Sequence, residues 1–327
     1  MTTIGFPAIT IALFVVVTTF LLWLDLYAHK SHKAIPLKDA ALWSSFYIVA
    51  AIVFAAYLGQ FHGTEAASLF LTGYTLEKVL AVDNLIVFAA IFAYFKIPDE
   101  YQHRILHWGI IGAVVFRLIF VAIGTGSLML FGPVVELVFA FIVAWTALAL
   151  WNSLGNDEDD DVDYGDLAPV RWAKKIWLVA PEMDGRFFVP VVMNTGIYRA
   201  VTPAFLCLIA IEISDILFAF DSVPAVIAVT QDPFLVYSAM IFAILGLRSL
   251  YFVMSALMRY LVHLEKAVVA VLFFIAAKLA LHSITWFGVS WGLLPLEEAL
   301  KIPANISLII VLSTLSAGVI ASFIFSE

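Results

Sequence analysis

Long apolar stretches recur along the whole chain, each near the length needed to cross a membrane. Crossing roughly 30 Å of hydrocarbon takes about 20 predominantly apolar residues in an α-helix. Nine stretches are predicted to span, at about 8–27, 41–58, 68–95, 105–126, 132–151, 203–228, 234–257, 266–284 and 304–325. Segments of strictly alternating polarity, the mark of an outer-membrane barrel, do not recur. The expected fold is therefore all-α, a polytopic membrane helix bundle. The first stretch has neither a basic leader nor a small-residue cleavage pattern, so it reads as a retained helix. Basic residues sort by connection. Odd-numbered connections carry Lys30, Lys33, Lys38, Lys96, Arg104, Arg171, Lys174, Lys175, Arg186, Arg199, Arg259 and Lys266, whereas even-numbered ones carry only Lys301. The positive-inside rule then puts the odd connections in the cytoplasm, the N-terminus outside and the C-terminus inside.

Composition agrees. Of 327 residues, 64% are hydrophobic and 13% charged, against about 45–50% and about 25% in a soluble domain. The lipid bilayer is thus the first partner, and protein partners cannot be read from the chain. Much of the net charge of −8 sits in 157-DEDDDVD-163, so no nucleic-acid partner is supported. A single cysteine, Cys207, excludes an internal disulfide framework and any cysteine-rich metal site. No nucleotide-binding P-loop or other organic-cofactor motif is present. The one long connection, 152–202, begins with the acidic run, read as a solvated loop. It continues with 171-RWAKKIW-177, expected as a short helix on anionic headgroups, and with 182–200, expected as a hairpin.

Two stretches break the apolar pattern: 75-TLEKVLAVDNLIVF-88 and 210-AIEISDILFAFDSVPAVIAV-229. The first carries Glu77, Asp83 and Asn84, the second Glu212, Asp215, Asp221 and Ser222. A charge at the bilayer centre costs at least about 2.5 kcal/mol, so five carboxylates require a shared reason. Aligning Asp83 with Asp221 places Glu77 on Asp215 and Asn84 on Ser222, and further on Arg117 on Arg248. Three spans begin at 68 and three at 203, and an odd number of spans separates them. The pattern predicts an inverted repeat. The chain then divides into an N-terminal pair (1–67), repeat one (68–151), the acidic loop (152–202), repeat two (203–285) and a last helix (286–327).

Acids six apart are about 600° apart around a straight helix, on different faces. Convergence on one ion would require both helices to unwind or kink, with Pro224 freeing the Phe220 carbonyl in one and Gly73 loosening the other. The donors are all oxygens, which suits a hard divalent ion such as Mn²⁺, Mg²⁺ or Ca²⁺ better than Zn²⁺ or Cu⁺. Arg117, Arg248, Lys78 and Lys278 read as partners of acids that hold the bundle together, with Glu77 and Glu212 the first acids expected to serve them. Asp25 reads as a span end, Glu136 as a packed partner or supporting group, and His107 as interfacial.

These residues carry a resemblance. The runs 71-LTGYTLEKVLAVDNLIVF-88, 100-EYQHRILHWGIIGA-113, 212-EISDILFAFDSVPAVIAVTQDPF-234 and 242-FAILGLRSLYF-252 are similar to the TerC family, including its Alx-type members, within the superfamily of LysE-like exporters. The resemblance implies a protein of the cytoplasmic (inner) membrane linked to manganese efflux and, by historical name, to tellurite resistance. It also implies that Glu77, Asp83, Asn84, Glu212, Asp215, Asp221 and Ser222 are the positions expected at the metal.

The expected function is secondary export of Mn²⁺, with Ca²⁺ or another hard divalent ion as the alternative cargo and no enzymatic activity. Two other functions fit less well. An accessory membrane protein for metal homeostasis would show a phenotype without flux. An intramembrane aspartyl protease would carry a G-x-G-D motif, whereas these aspartates sit in AVDN and AFDS. Tellurite is an oxyanion, which a carboxylate-lined site would repel.

Overall fold

The computed structural model describes residues 5–28, 36–153, 168–180, 186–193, 196–257, 263–294 and 300–324. The acidic run 157–163 lies outside them, as do the side chains of Asp83 and Asp221. The chain is a polytopic all-α membrane protein. Its helices are α1 (Ala8–Ala28), α2 (Leu37–His62), α3 (Thr64–Tyr94), α4 (Asp99–Phe131), α5 (Pro133–Ser153), α6 (Ala168–Ile176), α7 (Pro203–Thr230), α8 (Pro233–Ile244), α9 (Leu247–Leu257), α10 (Leu264–Ser290) and α11 (Ala304–Ile324). Seven of these, α1, α2, α4, α5, α7, α10 and α11, are long and apolar enough to cross a membrane, and the bent pair α8–α9, as a broken span or a re-entrant loop, brings the number to seven or eight. The 31-residue helix α3 is long enough but carries Glu77, Lys78 and Asp83 along its length.

Local chemistry sets the boundaries. Proline opens α5, α7 and α8, where its fixed φ suits the first turn and its missing N–H is not needed. Thr202 caps α7, and Asp232 caps α8 by accepting from the N–H groups of Phe234 and Leu235 at 3.0 and 3.2 Å. The single span expected at 234–257 is instead two helices meeting at 52°. Gly246 stands at the break with φ +75, a conformation open to glycine, and a Cβ there would meet the Tyr47 ring.

In the long connection, α6 covers most of RWAKKIW, and β1 (Phe188–Met193) pairs antiparallel with β2 (Gly196–Val201), so the expected short helix and hairpin are both present.

Helix α3 packs against α2, α7, α8 and α11, while α7 also meets α4 and α5, and α5 lies along α10. The larger apolar core runs through α3, α4, α5, α7, α10 and α11 and includes Phe92, Ile105, Ile211, Ile227 and Val311. A second core, built on Phe54, Phe70 and Phe242, ties α2 to α3 and α8. The ring of Phe54 stacks on Phe242 at 4.9 Å and meets Phe70 edge-on at 5.2 Å.

Of the unwinding or kink expected at Gly73 and Pro224, unwinding is not seen. Both α3 and α7 are continuous helices through those positions. Proline removes one intrahelical hydrogen bond, but its fixed φ is compatible with the helix, and α7 stays helical on both sides of it. Gly73 has a different task. A Cβ there would stand 3.0 Å from Thr230 Oγ1 and 3.2 Å from Ala239 Cβ, so the missing side chain lets α3 approach α7 and α8 closely.

Candidate cation site

The site begins with one buried arginine. Arg117 lies midway along α4, with 2% of its surface exposed. Its Nη1 forms an ion pair with Glu77 of α3, and its Nη2 donates to Asp215 Oδ1 of α7 at 3.1 Å. Glu77 and Asp215 are 1% and 4% exposed. One guanidinium fork therefore holds a carboxylate from each of two helices, the geometry at which arginine outperforms lysine. Among the acids predicted at the metal, these two are brought together. The partners of Arg117 are Glu77, as expected, and Asp215 in place of Glu212.

Glu212 sits one turn before Asp215 on α7, partly buried, and its carboxylate lies against the α4 backbone at Gly112. A Cβ on Gly112 would overlap both carboxylate oxygens. Glu212 Oε2 is buried and has no hydrogen-bond partner among the described residues, and the same holds for Asp215 Oδ2 and Ser222 Oγ. Asn84 is buried in α3. A cavity of about 20 Å³, enough for about one water, opens beside Asp215 and Arg248. Buried oxygens left unsatisfied are costly and mark places where a cation or proton would be welcome. Among the described residues no three His, Cys, Asp or Glu side chains form a ready metal cage.

Arg248, Lys78 and Glu136 have structural partners, whereas Lys278 shows no ion pair among the described residues. Arg248 of α9, fully buried, donates through Nε and Nη2 to Asp25 Oδ2 at 3.3 and 3.0 Å and also bonds the Asp25 carbonyl. Asp25 is thus no simple span end: it anchors α1 to the bundle. His107, partly buried, has its Nδ1 3.4 Å from Arg248 Nη1 and so borders this cluster. Lys78 follows Glu77 in α3 but turns elsewhere, donating to the carbonyls of Ala243 and Leu245 at 3.0 and 3.1 Å. It thereby satisfies the carbonyl end of α8 at the break before α9. Glu136 of α5 pairs with His282 Nδ1 at 2.5 Å and accepts from Gln231 Nε2 at 3.0 Å and Ser283 Oγ at 3.2 Å. Lys278 of α10 faces a separate cavity.

Sequence reasoning set Asp25 aside as a span end and passed over Gly112 and His282. An acid within the first span was a visible signal for Asp25. For Gly112 and His282 the signal is spatial, since their partners are about a hundred residues or more away.

Comparison with known proteins bears on the whole chain. Residues 62–327 match the family described as Integral membrane protein TerC family. The chain belongs to the TerC family. It is 49% identical to the Tellurium resistance protein TerC of Serratia marcescens, across 99% of this chain and 96% of that one. It is 48% identical to the protein of the same name from Alcaligenes sp, across 100% of this chain and 96% of that one. The Thylakoid membrane protein TERC, chloroplastic, of Arabidopsis thaliana is 40% identical across 83% of this chain and 65% of its own length. No solved structure matches the chain.

Proposed function

We propose that this protein is a secondary transporter exporting a hard divalent cation, Mn²⁺ foremost, through a carboxylate site between α3 and α7. The observation that carries the reading is the meeting of Glu77 from α3 and Asp215 from α7 on the single guanidinium of Arg117. Buried charge of this kind within a bundle is expensive and is a functional mark by default. Asp83, Asn84, Glu212, Asp221 and Ser222 complete the proposed ligand set, with Arg117 neutralising part of it when no cation is bound. An arriving divalent ion competes with Arg117 for Glu77 and Asp215, and the displaced guanidinium shifts the balance between α4 and the two acidic helices. The proposal assigns proton exchange to Glu212, whose Oε2 has no partner among the described residues.

The inverted repeat is part of the proposal, with α3 as a ninth span. One set of helix neighbours is reciprocal under a swap of α3–α5 with α7–α10: α4 lies on α7 while α8 and α9 lie on α3, whereas the α7–α10 and α4–α5 contacts have no counterpart of similar extent. Continuous helices alter one detail. Without unwound segments, the freed carbonyl of Phe220 is the backbone group expected to contribute, and side chains supply the rest. The basic residues of the odd connections support an inner-membrane placement with the N-terminus outside.

Reconstitution into proteoliposomes tests the proposal. Mn²⁺ flux that is lost in the double variant Asp83→Asn with Asp221→Asn is expected. Absence of flux from the parent protein, with its cellular phenotype intact, assigns the accessory role instead.

A further inference from the structure

Asp215 of α7 and Arg248 of α9 line the same small cavity, of about 20 Å³. Gly109 and Ala113 of α4, two residues with little or no side chain, also line it. Among the described residues, the charges on the two sides of this cavity do not balance. On the α7 side, Glu77, Asp215 and, one turn before Asp215, Glu212 stand against the one guanidinium of Arg117. On the α9 side, Arg248 and Lys78 stand against the one carboxylate of Asp25, which pairs with Arg248 at 3.0 Å and lies within electrostatic reach of Lys78. Excess acid thus adjoins excess base, and the attraction between them is strong in a buried setting.

The open hydrogen-bond positions match as well. Asp215 gives Oδ1 to Arg117, while its buried Oδ2 has no partner among the described residues. Arg248 uses Nε and Nη2 on Asp25, and its Nη1 meets His107 Nδ1 at 3.4 Å, a long contact. Arg248 also sits two residues past Gly246, whose φ of +75 marks the 52° bend between α8 and α9. A rotation of the 11-residue helix α9 is the kind of change that such a point absorbs. In the aligned sequence repeats, Arg117 and Arg248 occupy matching positions.

We propose that Arg117 and Arg248 are alternative partners of Asp215. In the arrangement seen, Arg117 holds Asp215 and Arg248 holds Asp25. In the other, α9 pivots at Gly246 and Arg248 crosses the cavity to Asp215. Arg117 then keeps Glu77, and Lys78 remains near Asp25, so every acid retains a counter-charge. The exchange replaces a tie between α4 and α7 with one between α9 and α7, and it releases α1. Within the proposed transport cycle, on which its use rests, it gives the empty site two arrangements. The pairing itself is tested without metal, so its failure is distinct from a failure of transport.

The test measures unfolding midpoints of the purified full-length protein in detergent, without added metal. The proteins compared are the parent, Asp25→Asn, Arg117→Gln and the double variant. Asp25 and Arg117 share no partner in the arrangement seen, so without the exchange their losses add. With it, Arg248 freed by Asp25→Asn takes one of the two carboxylates that Arg117→Gln strands. The midpoint loss caused by Arg117→Gln then shrinks to about half. With Asp215→Asn present throughout, no such sparing is expected. Losses that simply add, or sparing that survives Asp215→Asn, overturn the proposal. If Arg117→Gln does not survive purification, the structure of the Asp25→Asn protein decides in its place. Arg248 hydrogen-bonded to Asp215 there supports the exchange, and Arg248 away from Asp215 overturns it.

Discussion

Arg117 on α4 donates to Asp215 on α7 across 3.1 Å, with both side chains shut away from solvent and with Glu77 of α3 on the other arm of the same guanidinium. A buried charge pair stripped of one partner loses about 3–5 kcal/mol, because the remaining charge stays desolvated. Arg117→Gln strands two carboxylates at once. Its unfolding midpoint in detergent is expected well below that of the parent. Added Mn²⁺ should then raise that midpoint more in the variant than in the parent, since the ion no longer competes with Arg117. Equal rises in both proteins would separate Arg117 from cation binding.

Gly112 gives a cleaner probe of Glu212. An added methyl would overlap the Glu212 carboxylate, and the flexible side chain is the part that yields. Gly112→Ala also gains about 0.8–1 kcal/mol of helix propensity, which offsets strain. Near-parental thermal stability is expected together with Mn²⁺ flux lowered about tenfold or more, as misplacement of a reacting group produces. Unchanged flux would remove Glu212 from the ion's path.

Lys78 holds the break between α8 and α9 through two carbonyls, at Ala243 and Leu245. Lys78→Met leaves both acceptors without their charged donor, at a cost of about 1–3 kcal/mol. Faster amide hydrogen exchange confined to the α8–α9 junction is the expected signature. Uniform exchange across the bundle would mean that Lys78 supports the whole fold instead.

Glu136 belongs to a different neighbourhood, in contact with Gln231, His282 and Ser283. Glu136→Ala should lower thermal stability by about 1–3 kcal/mol while leaving the Mn²⁺ affinity of the carboxylate site near that of the parent. A loss of affinity comparable with that of Asp215→Asn would draw Glu136 into the cation pathway.

The helical, membrane-spanning architecture was legible in the sequence because apolar runs of sufficient length have few other uses. The hairpin at 188–201 and the helix within RWAKKIW were equally legible, from turn formers and local alternation. Two boundaries were not. The span at 234–257 reads as one apolar run, and its bend depends on Gly246 beside the ring of Tyr47, a contact about two hundred residues apart in the chain. Pro224 reads as a place where α7 unwinds or kinks, yet the helix runs on through it. At the site, the sequence singled out the acids but not their pairing. Asp215, not Glu212, reaches Arg117, because Gly112 draws Glu212 against the α4 backbone. Spacing along one helix carries no information on which residue of another helix lacks a side chain.

The central claim is that acidic side chains of α3 and α7 share one divalent ion. Crystals of the full-length protein soaked in Mn²⁺ and measured for anomalous scattering address it directly. The account predicts a single strong peak between α3 and α7, at roughly 2.0–2.6 Å from oxygens of both helices, the range of hard divalent ions. Occupied crystals with peaks only at the protein surface, or on the oxygens of one helix alone, would contradict it.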